Sequence, residues 1–322
     1  MGKNKYPKFT LKGAQQMNKY IKALRAPFIS GSVAPVLIGA SLAFVDIEGA
    51  FPWLNLIAAV IGVASLHTAA NLINDYYDAK GSDAINLRVT PFSGGSRAIQ
   101  DEGLSLNAVE VLIVIFLFIA LFTAVWMTKA GRPMVIPLGL LGLFIGWAYS
   151  TPPLQLMSKG WGEVLIFFAF GPLVSLGGYY AITGHMSFNS FAVGIPHAFL
   201  ITNVLWINEF PDYEADKSVG KNNLVVRLGP ELARYLYCLM MVMSFMSVIF
   251  LIPICHISFL IILAFISFPP AFKAMKIVWK EYNSYEKLIP GQALTVMTVI
   301  AQGLLISLGL IISKLISGFI KI

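Results

Sequence analysis

The sequence predicts an all-α polytopic membrane protein, and three observations carry that prediction. First, hydrophobic residues make up 57% of the 322-residue chain and charged residues only 12%, with a mean hydropathy of +0.75. A soluble domain carries roughly 25% charge. This chain lacks the polar residues to cover a globular surface, which excludes a soluble enzyme and a disordered chain alike. Second, the apolar residues gather into continuous runs such as residues 111–120, VLIVIFLFIA. A transmembrane β-barrel would need alternating strands instead. Third, the basic residues are distributed unevenly between the runs.

A helix that crosses a bilayer needs about 20 mostly apolar residues. Nine segments qualify: Pro27–Val45, Trp53–Ile73, Ala108–Met127, Pro133–Ser150, Val164–Ile182, Phe191–Ile207, Leu232–Pro253, Ile257–Lys276 and Leu288–Leu310. With nine spans, the N-terminus and the loops after spans two, four, six and eight share one side. That side holds 19 of the 23 Lys and Arg, and the positive-inside rule assigns it to the cytoplasm. The net charge of +7 is therefore a topology signal and not a sign of nucleic-acid binding.

Residues 1–26 carry seven of those charges. They read as a basic, weakly amphipathic cytoplasmic segment suited to a membrane surface. No signal-peptide cleavage pattern follows the first apolar run, and Tyr6 stands where myristoylation needs Ser or Thr. No linker or low-complexity stretch divides the chain, so residues 1–322 read as one membrane domain. Cys238 and Cys255 lie in or beside apolar runs and form neither a disulfide framework nor a metal-ligand spacing.

Two acidic segments stand where spans two and six emerge on the basic side. One runs from Asn71 through Asn74, Asp75 and Asp78 to Asp83; the other runs from Asn208 through Asp212, Glu214 and Asp216 to Lys221. At about 100° per residue, Asn71, Asp75 and Asp78 share one helical face, and so do Asn208, Asp212 and Asp216. The motifs begin 137 residues apart, four spans later. This spacing suggests two four-helix units, each carrying one motif, that face each other across a cavity.

Isolated acidic clusters are commonly solvated helix ends. Here the Asn-x-x-x-Asp spacing recurs on the same side, and carboxylates at a helix C-terminus oppose the helix dipole. Such clusters are stabilised by a hard cation, and Mg²⁺ is held by a few carboxylates together with phosphate oxygens. Four aspartates and a diphosphate would repel each other without it. The loop after span two supplies Arg88 and Arg97, which can fork onto phosphate oxygens, and Gly94-Gly95, which can present backbone N–H groups. The second motif supplies Lys217, Lys221 and Arg227. Both arginines also have a plain reading as topology charges.

The paired motifs resemble those of the UbiA superfamily of intramembrane prenyltransferases, over nearly the whole chain. Further matching segments are Ser93-Gly94-Gly95-Ser96-Arg97, Tyr149-Ser150-Thr151-Pro152-Pro153-Leu154, Gly162-Glu163, Gly171-Pro172 and Asn223 through Gly229. Together they look most like the menaquinone branch, the 1,4-dihydroxy-2-naphthoate polyprenyltransferases. The resemblance implies nine helices around a central cavity that opens to lipid. It implies Mg²⁺-dependent transfer of a polyprenyl group from its diphosphate to an aromatic acceptor, in a bacterial or archaeal cell membrane with the site facing the cytoplasm.

On that resemblance Asp75, Asp78, Asp212 and Asp216 are the metal-binding and catalytic candidates. Asn71, Arg88, Arg97, Asn208, Lys221 and Tyr149 are the substrate-binding ones. The sequence departs from many relatives at Pro211, where Arg precedes the first Asp of the second motif, and at Gln155, where a basic residue is common.

The chemistry needs a diphosphate leaving group stabilised by charge, and an allylic cation shielded from water. Tyr149, Phe168, Phe170, Tyr179 and Trp206 are candidate aromatic faces for that cation, although each also reads as packing. His67 shares the face of Asn71, deeper in the membrane. It and, more weakly, Glu163 and His197 read either as hydrogen-bonded packing groups or as functional ones.

Other readings stay open at this point. One is the same chemistry with another acceptor, such as 4-hydroxybenzoate or a quinone or lipid precursor. Another is a cation-coupled transporter, which would place its carboxylates near the bilayer midplane. A phosphatidyl-alcohol transferase would carry Gly where Ala79 follows Asp78.

Overall fold

The computed structural model describes residues 19–320. Most of the basic N-terminal segment, and with it the expected interfacial helix, lies outside the described residues. The described residues are helical with no strand. Nine helices form the body: α1 Ala26–Asp46, α2 Trp53–Asp78, α3 Leu106–Lys129, α4 Val135–Ser150, α5 Gly162–Thr183, α6 Ile195–Ser218, α7 Pro230–Cys255, α8 Phe259–Glu281 and α9 Tyr285–Ile320. Eight are long and apolar enough to cross a membrane, if the short helix Phe188–Ala192 is counted with α6; α4, at 16 residues, is the shorter ninth.

Sequence chemistry accounts for the helix ends. Pro27, Pro196 and Pro230 stand in the first turns of α1, α6 and α7, where a missing N–H is harmless. Ser105 caps α3 by accepting from the Ala108 N–H. Pro172 cannot donate within α5, and the helix widens into one π turn at Ala169–Leu173. The residues exposed on α3, α4 and α7 are large and apolar; Phe118 and Phe122 are 65% and 73% exposed. In water that surface would aggregate, whereas in lipid it is simply the outer face.

The helices α2 and α6 run past the apolar boundaries expected at Ile73 and Ile207, to Asp78 and Ser218. With 26 residues, α2 is about 39 Å long, against a hydrocarbon core of about 30 Å. Its acidic end therefore projects from the apolar slab while remaining helical, and both motifs sit on rigid helix rather than on loops.

One packed half joins α1, α5, α7, α8 and α9 through Ile38, Leu42, Val248, Ile261 and Ile306. A second apolar cluster ties α6 to α7, α8 and α9 through Leu200, Ile207, Tyr237, Met241 and Leu288. The helices α1 and α5 cross at glycine. A Cβ on Gly178 would stand 2.6 Å from the Val36 carbonyl oxygen and 3.0 Å from its Cα. Small residues permit such close approach, and dispersion between the backbones then holds the pair together.

Gly178→Val is expected to force the two helices apart and lower the thermal unfolding midpoint in detergent, since overpacking costs about 1–3 kcal/mol. Gly177→Val is the control, because a Cβ there meets nothing within 4 Å. Equal losses at both positions would mean that valine's helix propensity, and not the close crossing, sets the effect.

Candidate active site

The helices α2 through α6, with Phe28 and Ser32 of α1, enclose a cavity of about 620 Å³. Its two ends differ in chemistry. At one end stand Asn71, Asn74, Asp78, Asp83, Asn208, Glu209, Asp212, Asp216 and Lys221. At the other, Ala58, Met127, Val135 and Ala181 form an apolar wall. Ala58 and Asp78 are twenty residues apart on α2, so the two ends are about 30 Å apart. Small residues line much of the length between them, including Gly62, Gly139, Gly142, Gly146 and Gly177.

The two acidic motifs meet at the polar end. Lys221, just beyond α6, bridges them: its Nζ is 2.9 Å from Asp78 Oδ1 and 3.6 Å from Asp216 Oδ1. Burial works against its charge, but Asp78 and Asp216 outweigh that effect and raise its pKa. Asn74 donates to Asp78 Oδ2 at 3.0 Å, and Asn223 donates to Asp216 Oδ2 at 3.0 Å.

The loop from Ala79 to Ser105 folds back over this end. From it, the Asn86 side chain donates to Asp212 Oδ1 at 2.6 Å and the Gly94 N–H donates to Asp212 Oδ2 at 3.3 Å. The Ser96 N–H donates to Asp75 Oδ1 at 3.3 Å. Gly94 and Gly95 both have positive φ, which favours glycine. A Cβ on Gly95 would also collide with the Asp83 carboxylate. The Gly-Gly pair thus lets the loop backbone lie directly on the acids.

Four of the predicted residues at this end, Asp78, Asp212, Asp216 and Lys221, line the cavity together. Asp75 does not. It is 4% exposed and lies behind the wall, against Ser96 and Arg25, whose guanidinium is 3.6 Å from Asp75 Oδ1. Its Oδ2 is buried without a partner. Asn71, Asn208 and Tyr149 line the next stretch of the cavity. Asn208 Oδ1 accepts from Gln292 at 2.9 Å, and Asn71 Nδ2 is buried without a partner.

The two loop arginines lie elsewhere. Arg97 donates to Asp101 Oδ1 at 2.9 Å and to the Asp83 carbonyl at 2.6 Å, and it is not in the lining. The nearer acid captures its guanidinium and makes it a brace of the loop. Arg88 lines a separate small pocket beside Phe210, Tyr213 and Tyr282. Arg25, which sequence reasoning passed over, is the cation that reaches the cavity from the N-terminal side.

Asp83 was also passed over as a site residue, although it ends the first acidic run. It is buried among Asp78, Asp75, Lys221 and Arg25. Burial first, and then the charges of Asp78 and Asp75, push its carboxyl up to about 7 against the pull of the two cations. Glu209 was missed as well, although it follows Asn208 and lies one turn before Asp212 on the same face.

Of the polar groups deeper in the membrane, His67 lines the cavity, with its Nδ1 3.0 Å from Ser32 Oγ. His197 lies outside it, bonded through Nε2 to the Gly31 carbonyl at 2.7 Å. Of the aromatic candidates, Tyr149 and Phe170 line the cavity, joined by Phe28 and Phe92. Trp206 donates to the Ala233 carbonyl, Tyr179 donates to Asp46, and Phe168 is exposed on the outer surface.

The donor set is chemically suited to a hard cation. Four carboxylates in the lining, Asp78, Asp83, Asp212 and Asp216, stand with two cations, Arg25 and Lys221, while Asp75 lies behind them with its Oδ2 unpartnered. Among the described residues no three His, Cys, Asp or Glu side chains form a ready-made metal cage. Carboxylate donors suit Mg²⁺, which takes one or two of them and completes its shell with water and phosphate oxygens.

The profile of the UbiA prenyltransferase family matches residues 32–300. The chain is 26% identical over 300 residues to the 1,4-dihydroxy-2-naphthoate octaprenyltransferase of Bacillus subtilis, covering 93% of this chain and 94% of that one. It is 28% identical over 224 residues to UbiA prenyltransferase domain-containing protein 1 of Dictyostelium discoideum, which is 67% of this chain and 66% of that one. In fold it is similar to a UbiA homolog from Archaeoglobus fulgidus solved bound to GPP and Mg²⁺. The TM-score is 0.60 at 18% identity, over 90% of this chain and 99% of that one.

Proposed function

The chain belongs to the UbiA prenyltransferase family, and we propose that it transfers a polyprenyl group from polyprenyl diphosphate to 1,4-dihydroxy-2-naphthoate, a step of menaquinone biosynthesis. The observation that carries this reading is one continuous cavity with acids at one end and an apolar wall at the other, about 30 Å away. It matches a substrate with a diphosphate head and a long apolar tail. The naphthoate acceptor is supported by the full-length similarity to the Bacillus subtilis enzyme. The charge asymmetry of the loops supports a cell-membrane protein with the acidic end in the cytoplasm.

In this reading Asp78, Asp212 and Asp216, backed by Asp75, would hold Mg²⁺, which would supply positive charge against the diphosphate as it leaves. Lys221 supplies a fixed ammonium between the two motifs, and Arg25 supplies a second cation at the rim. The Gly94-Gly95 turn brings backbone N–H groups to the same place. Phe28, Phe92, Tyr149 and Phe170 line the cavity and can present ring faces to the allylic cation while excluding water.

A second acceptor class has a specific reason: Pro211 and Gln155 depart from the pattern of many relatives. A related quinone or lipid precursor would fit the same cavity. Family membership sets aside a cation-coupled transporter.

The test is direct. Purified protein is supplied with prenyl diphosphates of several lengths, a panel of hydroxyarenes and Mg²⁺, and the products are identified by mass spectrometry. The expected product is a prenylated naphthalene that has lost its carboxyl group. Excess EDTA is expected to abolish turnover, and added Mg²⁺ to restore it. Undiminished turnover in EDTA would refute the metal assignment.

A further inference from the structure

Three residues before Asp212, Glu209 faces the same cavity about one turn deeper into the membrane. It is 7% exposed, and its Oε2 has no partner. Beside it stands Glu163, in the first turn of α5, which is 3% exposed. Glu163 Oε1 accepts the Leu224 N–H at 2.6 Å, while its Oε2 has no partner. The two acids come together where α5 packs on α6.

Burying two acids side by side is costly unless something compensates. A salt bridge does not: Lys221 is taken by Asp78 and Asp216, and Arg227 donates to the Asn222 and Lys159 carbonyls. Two adjacent carboxylates repel in a low-dielectric interior, and an unpartnered oxygen facing the cavity is placed to accept a proton from a bound ring. Tyr149 lines the cavity against Gly162, the neighbour of Glu163, and the unpartnered Asn71 amide belongs to a residue of the same lining. This belt of polar groups lies between the diphosphate end and the apolar tail. Its donors and acceptors suit a planar ring bearing hydroxyl groups.

We propose that Glu209, paired with Glu163, receives the proton of the acceptor's ring hydroxyl as the ring attacks the prenyl cation. This rests on the aromatic-acceptor reading above. The hydroxyl O–H bond breaks, its proton passes to the carboxylate pair, and its electrons move through the ring. The attacking ring carbon forms a bond to prenyl C1, whose bond to the diphosphate oxygen breaks. That ring carbon then loses its carboxylate as CO₂, or, in an acceptor without one, its proton, which leaves with the diphosphate, and the oxygen takes its proton back from the pair. Atoms and charges balance without a further reactant.

Glu209→Gln keeps the shape but cannot accept a proton. At saturating donor with a naphthol acceptor, kcat is expected to fall at least about 10²-fold, in the range of general acid–base contributions. The KM for the prenyl donor is expected to stay within about twofold, since the carboxyl group lies about one turn deeper than Asp212. The deficit is expected to shrink to less than about tenfold with an electron-poor hydroxynaphthoate already ionised at the assay pH, because its proton is gone beforehand. A merely structural role would lower turnover equally for both acceptors. That result, or wild-type kcat in Glu209→Gln, overturns the proposal. If Glu209→Gln does not fold, Glu209→Asp is measured instead, where a loss independent of acceptor acidity also overturns it. If the wild-type protein prenylates no hydroxyarene, the acceptor reading itself fails and takes this inference with it.

Discussion

Replacing Asp212 by Asn is expected to lower kcat by about 10²-fold or more, on the order of the ~3 kcal/mol lost with one electrostatic stabiliser of a transition state. Asp212 lines the cavity on α6 and faces the place where a diphosphate would part from its prenyl chain. Its carboxylate has two jobs that must be separated. It contributes negative charge to the cation-holding end, and it anchors the covering loop by accepting from Asn86 at 2.6 Å and from the Gly94 N–H at 3.3 Å. An asparagine keeps the volume, removes the charge and turns one acceptor into a donor.

Asn86→Ala isolates the second job, because it deletes the loop's side-chain bond and leaves the carboxylate in place. That variant is expected to lose no more than about tenfold, in line with one charge-assisted hydrogen bond at the margin of the site. Steady-state kinetics in donor and in Mg²⁺, with thermal unfolding as a check on folding, measure both. Equal losses in the two variants would show that loop closure, and not charge, is what Asp212 provides.

The contrast between Asp212 and Arg97 shows what the sequence could reveal about this site. The aspartates were legible because their spacing is a helical period, and α2 and α6 continue as helices through both motifs. Nine apolar stretches likewise predicted nine helices, because hydrocarbon tolerates little else. Arg97 was legible only as a basic residue in a glycine-containing loop. Its direction depends on a competition that no spacing encodes: Asp101, four residues on, captures the guanidinium before any ligand could.

Arg25 and Asp83 reach the polar end through chain reversals whose geometry is set by tertiary contacts. The pairing of Glu163 with Glu209 joins residues 46 positions apart. It follows from the packing of α5 on α6, which hydropathy does not predict. Helical position is carried by local sequence, whereas the partner of a polar side chain is carried by the fold.

The other large effect concerns the tail of the substrate. Gly142 lies on α4, seven residues before Tyr149, so it lines the cavity about 10 Å deeper than the polar belt. A Cβ placed there meets nothing within 4 Å. A bulky side chain at this position therefore has room to extend into the cavity without displacing packed neighbours. Gly142→Phe is expected to fold and insert as the wild type does, with no loss of thermal stability. It is expected to turn over short donors, whose tails end above the obstruction, within about threefold of wild type. With long polyprenyl diphosphates kcat/KM is expected to fall by 10²-fold or more, because burial of the distal tail is worth about 0.8 kcal/mol per methylene and is lost once the tail cannot pass. The diphosphate end is untouched, so the Mg²⁺ dependence should not move. Wild-type rates with long donors in a stable Gly142→Phe protein would mean that the tail leaves the cavity sideways between α2, α3 and α4 above this point. The deep apolar end beside Ala58 and Met127 would then have no part in holding it.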